Sequence, residues 1–93
     1  MVSRKIMITD ELGIHLRPAG IISEKALHYK CEVTFKNGSY VGNVKSVLGL
    51  LAGCVKSNHE IELICSGEDE ELALLELSEL IEQELSDGGT GKD

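Results

Sequence analysis

Cys31-Glu32-Val33-Thr34-Phe35-Lys36-Asn37-Gly38-Ser39-Tyr40-Val41 is the stretch on which the reading of this chain turns. Cys31, Val33 and Phe35 alternate with Glu32, Thr34 and Lys36, the period of a strand with one face buried. Asn37-Gly38 then offers two residues that tolerate positive φ, the strongest short hairpin signal in the chain, and Tyr40 and Val41 belong to the returning strand. An antiparallel pair with one dry face needs a cover on that side, so helices should flank the hairpin in sequence.

They do. Upstream, Ile6-Met7-Ile8 reads as a first strand, ended by Asp10-Glu11 and a turn at Gly13. From Leu16, Ala19, Ile22 and Ala26 line one face of a helix running to about His28. Downstream, Ser46 can cap a short helix over Val47-Leu48-Gly49-Leu50-Leu51-Ala52, made marginal by Gly49, which costs about 1 kcal/mol relative to alanine. Ile61, Leu63 and Cys65 alternate with Glu60, Glu62 and Ile64 in a last strand. Leu74, Leu77, Ile81 and Leu85, widened by Ala73 and Leu80, form the stripe of a final helix, whose N-terminus is favoured by Glu68, Asp69, Glu70 and Glu71. The expected fold class is α+β: a two-layer open-faced β-sandwich, a four-stranded antiparallel sheet with three helices on one face in the order βαββαβα. One domain spans residues 1–86, and the glycine-rich end, 87–93, is expected to be a flexible tail.

With a formal net charge of −7, the chain lacks the basic stripe that nucleic acid or anionic membrane would require. The apolar run at the N-terminus is too short for a signal peptide and none elsewhere is long enough to span a bilayer, so no membrane insertion and a cytoplasmic location are expected. Cys31, Cys54 and Cys65 are odd in number and form no C-x-x-C pair, so they read as reduced thiols.

The chemistry gathers at Gly13-Ile14-His15-Leu16-Arg17-Pro18-Ala19. Proline suits a first helical turn, where its missing N–H would have had no partner, so His15 falls at or just before a helix N-terminus. Free amides and the positive end of the helix dipole make an anion site there, and Arg17 adds a permanent cation. A nucleophilic imidazole beside a phosphate cradle points to transient phosphorylation of the ring. His28 and His59 lack such company and read as surface or capping residues. Ser46 reads as an N-cap, yet a phosphate there would sit in the field that stabilises anions, so cap and switch can coexist. Val47, Leu48, Leu50 and Leu51 are too many apolar residues for one face of a short helix, and some must meet water or a partner. A zinc site drawn from His28, Cys31, Cys54 and His59 has the wrong spacing, so no metal is expected.

The motif around His15, together with Lys45-Ser46-Val47-Leu48-Gly49 and the intervening Asn37-Gly38, resembles HPr, the histidine-containing phosphocarrier family of the bacterial sugar phosphotransferase system, over residues 1 to about 86. The resemblance implies that His15 accepts a phosphoryl group at Nδ1 from phosphorylated Enzyme I and passes it to IIA domains of sugar permeases. Leu16 and Arg17 would bind the phosphate. Ser46 would be phosphorylated by HPr kinase/phosphorylase, with the catabolite control protein as the reader of that mark. Gly20, Val47, Leu48 and Leu51 would form the docking surface, the free protein would be a monomer, and no cofactor is implied. Departures from the family pattern are Leu16, where a small residue or threonine is usual, and the loop Gly53-Cys54-Val55-Lys56-Ser57-Asn58, whose glycines are altered. Asn58 can replace a left-handed glycine, Cys54 is expected to be partly exposed, and the basic rim reduces to Arg17, Lys45 and Lys56. Two rival readings are a regulatory paralogue that works through Ser46 with little sugar flux, and a metal or redox module built on the cysteines.

Overall fold

Each patterned segment forms its element in the computed structural model, which describes residues 1–86; the tail expected at 87–93 lies outside the described residues. In chain order these are β1 (Val2–Ile8), α1 (Leu16–Ala26), β2 (Glu32–Asn37), β3 (Tyr40–Asn43), α2 (Val47–Ala52), β4 (His59–Ser66) and α3 (Glu70–Glu84). The strands make one antiparallel sheet in the order β1-β4-β2-β3. One face carries Ile6, Ile8, Val33, Phe35, Ile61, Leu63 and Cys65, all buried against Ala19, Ile22 and Ala26 of α1, Leu50 of α2 and Ala73, Leu77 and Ile81 of α3. The other face is wet. Across it Lys5 pairs with Glu62, Glu62 with Lys36 and Lys36 with Val41, so positive and negative side chains alternate over β1, β4 and β2. No helix among the described residues is long and apolar enough to cross a membrane.

Three boundaries differ from the sequence reading, each for a physical reason. β1 begins at Val2 rather than near Ile6, because β4 offers a ladder reaching from Ile8↔His59 to Val2↔Cys65; the polar Ser3, Arg4 and Lys5 are paired through their backbone while their side chains stay in solvent. In the hairpin Asn37 pairs with Tyr40, so the two-residue loop is Gly38-Ser39, and of these Gly38 has positive φ, +62°. α3 starts at Glu70, two residues later than the acidic run suggested, because Asp69 turns its carboxylate away from its own helix and accepts from the amides of Lys30 (2.9 Å) and Cys31 (2.9 Å). Those bonds hold the Asp69 carboxyl below the usual aspartate range, Lys30 first among the causes, and pin the entry to β2 onto the start of α3.

Gly49, weak for a helix, is required by packing: a Cβ there would stand 2.7 Å from the Asn43 carbonyl oxygen, and the Gly49 carbonyl accepts from the Tyr40 hydroxyl at 2.8 Å. Cys31 and Cys65 are core residues, and burial raises both thiols, Cys65 to about 12; Cys54 is exposed. Cys54 and Asn58 have positive φ, +52° and +70°, so Asn58 fills the left-handed role expected of it.

Candidate functional site

The loop from β1 to α1 is braced at both ends. The amides of Thr9 (3.1 Å) and Asp10 (2.9 Å) both donate to the Leu85 carbonyl just past α3, and the Ile14 amide donates to the Val55 carbonyl (3.0 Å) in the α2–β4 loop. Gly13 stands between with φ +67°, and a Cβ would come within 2.1 Å of the Val55 oxygen, so no other residue fits. Asp10 closes the turn twice: its carbonyl accepts from Gly13 N (2.9 Å), its Oδ1 from Leu12 N (2.8 Å).

This loop delivers His15 as the N-cap of α1, in extended conformation (φ −129°, ψ −178°), with its carbonyl accepting from Ala19 N at 2.9 Å. Its imidazole makes no capping bond to the helix. The amides of Leu16 and Arg17 therefore sit at a helix start with no intrahelical acceptor, and Pro18 contributes none. Pro18 and Ala19 are buried and fix the helix end, whereas Leu16 and Arg17 are exposed. Arg17 forms no ion pair among the described residues. The His15 side chain is 36% exposed, and its Nε2 lies 3.8 Å from Oδ1 of Asp10. Sequence reading missed Asp10, taking it only as a strand terminator. The available signal was an Asp three residues before a turn glycine, which is an Asx-turn pattern.

Ser46 caps α2: its Oγ accepts from Gly49 N at 2.9 Å and its carbonyl from Leu50 N at 3.0 Å. α2 lies beside α1, and the Ser23 hydroxyl on α1 donates to the Lys45 carbonyl (3.0 Å) at the approach to α2. Of the expected docking residues, Leu48 is 77% exposed, and Val47 and Leu51 are half-buried against the core. Gly20 has no atom within 4 Å of where a Cβ would point. Leu50 alone of the short helix is buried, so the surplus of apolar residues does reach water. The basic rim is thinner than the sequence suggested. The Lys45 ammonium donates to the Tyr29 carbonyl (2.8 Å) and holds the end of α1, leaving Arg17 and Lys56.

The other histidines stand apart. His59 Nδ1 accepts from Lys56 N (3.2 Å) within its own turn, and His28 is exposed just past α1. Among the described residues no three histidine, cysteine or acidic side chains gather as a metal site.

An open-faced βαββαβα sandwich with a half-exposed histidine at the N-cap of its first helix is the arrangement expected from the resemblance to the phosphocarrier class, and the comparisons agree. The family model for the PTS HPr component phosphorylation site matches residues 2–83, and the chain belongs to the HPr family. It is 36% identical over 80 residues to the phosphocarrier protein HPr of Mycoplasma pneumoniae, covering 85% of this chain and 91% of that protein. A solved histidine-containing phosphocarrier protein of a mycoplasma superposes with a TM-score of 0.89 at 26% identity, covering 94% of this chain and 100% of that one. The HPr-like protein Crh of Bacillus subtilis is 31% identical over 85 residues, 91% of this chain and 100% of Crh. Its crystal structure, an intertwined dimer with a swapped domain, aligns at a TM-score of 0.73 and 30% identity over 94% of this chain and 100% of that one.

Proposed function

We propose that this chain, as a cytoplasmic single-domain carrier spanning residues 1–86, accepts a phosphoryl group on His15 from phosphorylated Enzyme I and passes it to IIA domains of sugar permeases. The observation that carries the reading is a half-exposed imidazole at the N-cap of α1, uncommitted to capping, beside the amides of Leu16 and Arg17, with an exposed Arg17 that makes no ion pair among the described residues. Such a cradle neutralises a phosphate through dipole and hydrogen bonds yet leaves it open on one side, which suits a group that must leave again. Leu48, Leu51, Val47 and Gly20 along α2 and α1 are the surface for successive partners, and the free carrier is a monomer so that this surface stays available.

The test is the intact mass of the purified protein after incubation with Enzyme I and phosphoenolpyruvate, before and after brief acid treatment. One acid-labile phosphate is expected, and its absence in His15→Ala, whose fold is retained because the ring is not part of the core. Labelling of His15→Ala would overturn the site.

A second reading is favoured by the 31% identity to Crh: a regulatory paralogue acting mainly through Ser46 phosphorylated by HPr kinase/phosphorylase and read by the catabolite control protein, with little sugar flux. Failure of the wild-type protein to label, with Enzyme I active on another HPr, would move the assignment to that reading.

A further inference from the structure

A carrier histidine must be a good nucleophile when it receives the phosphoryl group and a good leaving group when it gives it up. Both demands fall on the nitrogen that does not carry the phosphate. If Nδ1 attacks, the Nε2–H proton keeps the Nδ1 lone pair free; once the N–P bond exists, that proton makes the ring an imidazolium that departs as neutral imidazole. In this chain the carboxylate near Nε2 is that of Asp10, with Oδ1 at 3.8 Å, close enough to act on a charge that develops on the ring.

Asp10 is built to stay there. Its side chain is 19% exposed, its amide is held by the Leu85 carbonyl, its carbonyl by Gly13 N and its Oδ1 by Leu12 N. The other charged or titratable groups on the segments around the ring are Glu11 on the same loop, Arg17 on α1, Cys54 and Lys56 on the α2–β4 loop, and Glu84 at the end of α3; among the described residues, the carboxylate within 4 Å of a ring nitrogen is that of Asp10. No capping bond occupies the ring from the helix side.

We infer that Asp10 is a positioning residue for phosphoryl transfer: its carboxylate holds the His15 proton on Nε2, leaves Nδ1 as the accepting atom, and stabilises the imidazolium that forms on acceptance. This rests on the carrier reading above. In the acceptance step the Nδ1 lone pair forms the bond to phosphorus as the bond from phosphorus to the donor's leaving atom breaks, with that electron pair returning to the donor. Nε2 keeps its proton, so the ring passes from neutral to cationic opposite the fixed carboxylate. In donation a lone pair of the acceptor bonds phosphorus as the N–P electron pair returns to Nδ1, and the ring, its Nε2 proton kept, is neutral again. The geometry thus supplies a reason for Nδ1 selectivity that resides in this chain's own residues.

Asp10→Asn tests the charge, because the amide oxygen still accepts from Leu12 N and keeps the turn, while Asp10→Ala removes both. Each variant, after a thermal melt has confirmed its fold, is phosphorylated by Enzyme I and phosphoenolpyruvate alongside wild type. The initial labelling rate and the pH dependence of hydrolysis of the phosphorylated protein are then measured. Asp10→Asn is expected to label about fivefold more slowly, the size of one carboxylate acting through water at this distance. Its alkaline fall-off in phosphoprotein hydrolysis is expected about 0.7 of a pH unit lower, because the Nε2 proton is lost more readily. Wild-type rate and profile in Asp10→Asn, whether or not Asp10→Ala is slow, would overturn the inference, since the effect would then belong to the turn alone. A wild-type protein that gains no phosphate would instead overturn the carrier reading, so the two failures are distinct.

Discussion

At Ser46 one oxygen serves two purposes that can be separated by substitution. Oγ satisfies Gly49 N at the start of α2, a bond legible in advance because a serine preceding an apolar run is the ordinary N-terminal signal. Ser46→Ala is expected to cost about 1 kcal/mol in a denaturant titration, since the Gly49 amide then lacks its acceptor. Aspartate also caps, so Ser46→Asp should retain most of that stability while placing a charge next to Val47 and Leu48, the proposed docking residues. Labelling of His15 by Enzyme I is expected to slow in Ser46→Asp and to stay near wild type in Ser46→Ala; equal rates in both would mean that charge at this position does not reach His15. Asp10 was not legible in the same way. It contacts His15 only because Gly13 in its left-handed conformation folds the loop back, and that fold depends on Val55, forty-two positions along the chain from Gly13.

Among the elements, those with clean period came through the sequence with nearly their own limits, and those placed by partners did not. β2 and β4 alternate and were read almost whole; β1 has only Ile6 and Ile8 to show, and its polar half is strand because β4 is there to pair with it. Gly49 illustrates the converse, a residue poor for its helix and kept because α2 presses its backbone against Asn43 and Tyr40. At α3 the acidic run was legible as dipole-favouring charge, but the reach of Asp69 to Lys30 N and Cys31 N was not, since nothing local announces a bond spanning thirty-eight and thirty-nine positions. That bond has a pH signature. The folded Asp69 carboxyl is held below its unfolded value, so its stabilisation is fully present above an ordinary aspartate pKa of about 3.9 and is lost as pH falls through the lower folded value. Asp69→Asn should therefore be less stable than wild type at pH 7, and chemical denaturation at pH 3 and below should show the gap narrowing. A constant gap would mean that shape at this position, and not charge, sets the loss.

Over the whole molecule, the class and the order βαββαβα followed from local pattern, because one apolar face per element leaves a single sheet covered on one side as the natural arrangement. The strand order β1-β4-β2-β3 is a matter of long-range pairing that hydrophobic period does not encode. The core it encloses is shared by all three helices, and Leu77 of α3 is wholly buried within it. Leu77→Ala is expected to lose about 3 kcal/mol in a denaturant titration while still taking up one phosphate per chain, because the cavity opens in the core, of which the His15 ring is not part.

The Leu85 carbonyl gathers the amides of Thr9 and Asp10 where the end of α3 meets the loop carrying His15. Fraying of the last turn of α3 would release both amides at once, so two segments more than seventy positions apart in sequence should exchange their protons with solvent as a single cooperative unit. The loop that carries His15 then borrows its rigidity from the helix that ends beneath it, and anything that loosens that helix end would be felt first as slackness in the placement of the imidazole.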